Sequence, residues 1–158
     1  NLKEAVHNGT NIEARSGMML GSLLAGLSFS HSDVGSVHCM AEALGGMYDA
    51  PHGLCNAILL PYVMEYNLPE VVHKYARIAR AMGVEHKDDE QAAVLGIEWI
   101  RKLSEDIGLP GFKSLGVKEE DLETLAEMSA ENISTESNPR KIDKQGYLEL
   151  FRKAYGDR

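Results

Sequence analysis

Almost every stretch of this chain repeats its apolar residues at steps of three and four, and no stretch alternates apolar and polar residues long enough to make a strand. That pattern restricts the chain to helices packed on helices. With 158 residues, 44% of them apolar and 25% charged, it has the length and composition of one globular domain with a real core. The expected architecture is an all-α bundle of seven to eight helices in a single domain over residues 1–158.

The punctuation marks the helices. Leu2 to His7 forms a short first turn or two, and Thr10 or Asn11 caps a long helix to about Phe29. Met18, Met19, Leu23, Leu24 and Leu27 cover most of that helix's circumference, so it is expected inside the bundle. A third helix runs from about Gly35 to Tyr48. Pro51 then sits in the first turn of a fourth, where a missing N–H does no harm, and His52 follows as its second residue. Pro61 is expected to kink that helix before it ends near Asn67, and Pro69 opens the next period. Asp88 or Asp89 starts a further helix, Gly108 to Gly111 breaks it, and Asp143 caps the last.

Several functions are disfavoured at once. A net charge of −8 with no basic stripe does not suit a nucleic-acid surface. The longest apolar run, Ala57 to Val63, is broken by Pro61 and falls short of a membrane span. No strand–glycine loop–helix unit supplies a phosphate cradle. Cys39 and Cys55 sit in apolar helical patterns without a leader-like segment, and read as small core residues of a cytoplasmic protein rather than a disulfide.

Of six histidines, two stand out by their company in "HCMAEALGGMYDAPHG". His38 lies mid-helix among Val37, Met40, Ala41 and Leu44, where an unpaired imidazole is costly to bury. His52 is held rigidly between Pro51 and Gly53. A buried ring on one helix and an aimed ring at the start of the next suit metal ligation, although two histidines do not complete a coordination shell. His7 and His86 are assigned to solvent. The Glu-x-x-His pairs Glu4/His7 and Glu70/His73 resemble those of di-iron bundles, but occur too easily by chance to carry a metal reading.

The stretch "SLLAGLSFSHSDVGSVHCMAEALGGMYDAPHGLCNAILLPYVMEYN", with "PHGLCNAILLP" its most specific block and "NPR" at Asn138 to Arg140, resembles the C-terminal helical domain of the iron-containing alcohol dehydrogenases. The resemblance spans essentially the whole chain. It implies one Fe²⁺ (or Zn²⁺) held by an Asp and three His, with the two later histidines falling on His38 and His52. It implies a small alcohol or aldehyde substrate, NAD or NADP bound through a separate N-terminal α/β domain, and a homo-oligomer. That nucleotide-binding domain, the Asp and the first His are expected to lie outside this chain, which on its own should be inactive.

Two positions depart from the family pattern. Glu42 stands where a second His is common, near nicotinamide and substrate, and His31 stands where Asn is frequent. Glu42 is either a carboxylate at the rim of the cleft or an acceptor or base near the alcohol proton. A helical domain kept only for assembly, and a zinc glycerol dehydrogenase that matches "PHGxxNA" less well, are the alternatives.

Overall fold

In the computed structural model, which describes residues 1–157, seven α-helices account for most of the chain. They are α1 (Leu2–His7), α2 (Ile12–Phe29), α3 (Ser36–Tyr48), α4 (His52–Ala81), α5 (Asp89–Asp106), α6 (Leu122–Glu131) and α7 (Lys144–Gly156). Short 3₁₀ turns at Phe112–Leu115, Glu119–Asp121 and Ile133–Ser137 connect the later ones. Among the described residues there is no strand.

The caps are local and follow the sequence. Asn11 accepts from the Ala14 N–H at 3.1 Å, Asp88 from Gln91 at 2.9 Å and Asp143 from Gly146 at 2.9 Å, each satisfying a first-turn donor. Asp49 ends α3 in the left-handed region, with φ 51° and ψ 30°. Its short polar side chain tolerates that conformation better than most. Pro51 takes extended ψ, so α4 begins at His52, one residue later than the sequence suggests.

The core lies where α3 and α4 meet α6 and α7. Met40 and Leu44 from α3, Leu59 from α4, Leu125 from α6 and Phe151 from α7 are wholly buried there. Both cysteines are free and buried within it. The second half of α4 pairs with α5, and Gly96 allows the approach: a Cβ there would meet the Ala79 Cβ at 2.7 Å.

Two expectations need correction. The dihedrals of α4 stay helical through Pro61 and break at Val71, two residues past Pro69. Pro61 is buried, and the helix runs on through it despite the hydrogen bond its missing N–H removes. The second correction concerns α2, which lies on the surface of the described residues and not inside a bundle. It packs chiefly against α1, leaving Met19 76% exposed and Leu20, Leu23, Leu24, Leu27 and Phe29 more than half exposed. Its apolar circumference records a need for cover that residues 1–157 do not meet.

Candidate metal centre

His38 and His52 are brought together by the sharp turn between α3 and α4. The helix α3 starts at Ser36, so His38 sits in its first turn rather than mid-helix, its N–H bonded to the Gly35 carbonyl at 2.9 Å. His52 is the first residue of α4. The two ring centroids are 5.3 Å apart with planes tilted by 51°. Fourteen residues of chain thus fold back to place one imidazole from each helix at a common point.

His38 is half-buried and His52 exposed. Burial pushes the His38 pKa below its ordinary value, the neighbouring His52 pushes it the same way, and the Glu42 carboxylate opposes them. A depressed pKa keeps the ring neutral near pH 7, the form whose lone pair a metal ion takes. Two imidazoles suit Fe²⁺ or Zn²⁺ as donors, but make only part of a shell. Among the described residues no three His, Cys, Asp or Glu side chains are placed to hold an ion. The pair by itself fits part of such a shell and no more.

Two partners of this corner were not singled out by sequence reasoning. Asn56 lies one helical turn past His52, and its Nδ2 stands 2.9 Å from His52 Nε2 and 3.2 Å from the His52 carbonyl oxygen. The contact with the carbonyl turns the Asn56 amide toward the imidazole, within hydrogen-bond reach of His52 Nε2. The Asn56 Oδ1 is buried without a partner. The i, i+4 spacing was the available signal. Asn132, in contrast, is distant in sequence: its Nδ2 donates to Glu42 Oε2 at 2.6 Å. Glu42 is exposed at the edge of the corner, close enough to influence the His38 charge.

The remaining histidines take no part. His31 is exposed, its Nδ1 2.9 Å from the Leu27 carbonyl at the end of α2, where the helix dipole favours a proton donor. His7, His73 and His86 are exposed, as are Glu4 and Glu70 of the Glu-x-x-His pairs.

An all-helical unit that folds two histidines together at the α3–α4 turn defines the class. Residues 1–155 match the model of the Fe-containing alcohol dehydrogenase family, C-terminal, and the chain belongs to that family. It is 46% identical to the 1,3-propanediol dehydrogenase of Citrobacter freundii, an alignment covering 98% of this chain and 41% of that protein. It is 40% identical to the lactaldehyde reductase of Escherichia coli (strain K12), covering 87% of this chain and 37% of that one. A crystal structure of 1,3-propanediol oxidoreductase superposes with a TM-score of 0.94 at 45% identity, over 98% of this chain and 41% of the other. The chain therefore spans about two fifths of the length of these relatives.

Proposed function

We propose that the chain is the metal-binding helical part of an NAD(P)-dependent, iron-containing alcohol dehydrogenase that interconverts alcohols with aldehydes or ketones. The observation that carries this reading is the meeting of His38 and His52. The remaining ligands and the nucleotide site would come from the rest of the parent protein, whose packing would also cover the apolar face of α2. A homo-oligomer is the expected assembly of that parent.

When bound, Fe²⁺ or Zn²⁺ supplies Lewis-acid polarisation of the substrate oxygen. The chain's own residues do the positioning. His38 and His52 each offer an imidazole from a first helical turn, and Asn56 lies within hydrogen-bond distance of His52 Nε2, where it steadies the ring. Glu42, held by Asn132, puts a carboxylate beside the His pair, where it would accept the alcohol proton and discourage anionic substrates such as hydroxy acids. Neutral alcohols and aldehydes are the substrate class this charge suits.

The direct experiment compares the 158-residue chain with the parent dehydrogenase. The parent should reduce NAD or NADP in the presence of alcohol, while the chain alone should bind Fe²⁺ or Zn²⁺ weakly and turn nothing over. Robust turnover by the chain alone, or none by the metal-loaded parent across a panel of alcohols, defeats the reading. Within the parent, Glu42→Gln should lower kcat by about 10²-fold or more, the usual contribution of a general base, with metal content unchanged. Unchanged kcat across pH would leave Glu42 as a rim carboxylate; loss of metal would make it a ligand.

A further inference from the structure

We infer that Asn138 is a positioning residue for His38, acting from the far end of the chain through the first turn of α3; the inference rests on the reading of His38 and His52 as ligands. The residue before α3 is Gly35, which has no side chain to cap the helix. The cap comes instead from Asn138, whose Oδ1 accepts the buried Ser36 N–H at 3.3 Å across 102 residues of sequence. Gly35 suits this contact, since a Cβ there would lie 3.2 Å from that oxygen.

The amide of Asn138 uses its full hydrogen-bonding capacity. Its Oδ1 also accepts from Asn67 Nδ2 at 3.0 Å, while its Nδ2 donates to Asn67 Oδ1 at 2.8 Å and to the Arg140 carbonyl at 2.6 Å. Two acceptor and two donor bonds saturate the group and leave it one orientation. Asn67 is 4% exposed and Asn138 8%, so losing either partner strands a buried amide. Arg140 in turn donates to the Tyr66 carbonyl at 2.7 Å and lies over the Tyr66 ring at 4.2 Å, fastening the segment to α4. A second tie reaches the same residue of α3: Tyr147 Oη donates to the Ser36 Oγ at 3.1 Å.

The clamp matters to His38 because of where α3 is otherwise held. Cys39, Met40, Ala43 and Leu44 anchor the helix in the core, while in its first turn Ser36 is fully buried and Val37 packs against the core's edge. The segment before Gly35 runs through exposed turns and is tied down two residues upstream of it, where Asp33 accepts from Ser134 Oγ at 3.3 Å and from Ser137 Oγ at 2.7 Å. One residue of slip or fraying at the start rotates a side chain by about 100°, enough to swing His38 away from His52. Asn138, together with the Tyr147 tie to Ser36, thus fixes where α3 begins, and with it where the His38 ring stands.

The test measures Zn²⁺ affinity of the parent dehydrogenase by competition with a chelator, together with its thermal midpoint. Asn138→Ala should weaken Zn²⁺ binding by about 10-fold or more, the range typical of groups that orient a ligand. Leu148→Ala, which removes a buried core side chain on α7, controls for destabilisation; it should lower the midpoint and leave Zn²⁺ affinity within about twofold, as expected of a site that shares no partner with the metal. If Asn138→Ala behaves like Leu148→Ala, the inference is overturned. Should Asn138→Ala not fold, Gly35→Ala decides: its Cβ crowds the same oxygen without removing a core group, and it should lower affinity with little change in midpoint. Unaltered affinity in Gly35→Ala would then overturn the inference. His38→Ala separates the two levels of the argument: if it loses Zn²⁺ while the clamp variants do not, only the role of Asn138 falls, and if it keeps Zn²⁺, the ligand reading falls with it.

Discussion

Replacing either His38 or His52 with alanine in the parent dehydrogenase is expected to empty the metal site and stop turnover, while His31→Ala and His73→Ala leave both intact. Orienting groups around a metal are each worth about 10–100-fold in affinity, and a ligand itself should exceed that range. The chain offers no spare donor at this point, since no other His, Cys, Asp or Glu among the described residues completes a group of three with the pair. The loss in rate should be larger still: Lewis-acid stabilisation is worth several kcal/mol, and each ~1.4 kcal/mol is tenfold. Metal content after dialysis and alcohol-dependent NAD(P) reduction, measured on the same samples, check this. A His52→Ala parent that retains stoichiometric metal would show that the 5.3 Å approach of the two rings is packing alone.

What the sequence revealed and what it hid divide along the range of the interactions. Asn11, Asp88 and Asp143 were legible as caps because the N–H each receives lies three residues ahead of it. The meeting of His38 and His52 was legible because a tight turn and a helix start between them leave the chain few places to go. Pro61 misled because α4 keeps helical dihedrals through it, whereas the break came at Val71, beyond the second proline. The side chains of α2 announced an apolar helix correctly, but the pattern states only that the face must be covered and not by what. Asn132 and Asn138 could not be read as partners of α3, since they reach it across 90 and 102 residues through contacts that leave no periodic trace. The family motif "NPR" marked Asn138 without saying what its amide touches.

The same division shapes the expected response of the core. Phe151→Ala should destabilise the fold by about 3–5 kcal/mol, the cost of removing a fully buried phenyl ring and leaving a cavity. Phe151 has no exposed surface, and Phe112, 1% exposed, lies against it with ring centroids 6.0 Å apart and planes tilted by 44°. That tilted pair, beside Lys113 over the Tyr155 ring at 4.9 Å, ties the irregular segment after Gly111 to α7, so Phe112→Ala should cost a similar amount. For a domain of this size each kcal/mol moves Tm by about 2–4 °C, giving a fall of roughly 6–20 °C in either variant. The double variant should be less damaging than the sum of the two by about 0.5–1.5 kcal/mol, the coupling of an aromatic pair in contact. Denaturant or thermal unfolding of the two single variants and the double one measures all three quantities, and strict additivity would mean that the rings share a core without supporting each other. Neither ring touches the α3–α4 turn by way of a hydrogen bond, so both variants should keep their Zn²⁺ affinity below the transition. His38→Ala should do the reverse, losing the metal with little loss of apo stability. A half-exposed histidine outside the buried core has little packing to forfeit, and its removal is felt almost wholly in what it was placed to hold.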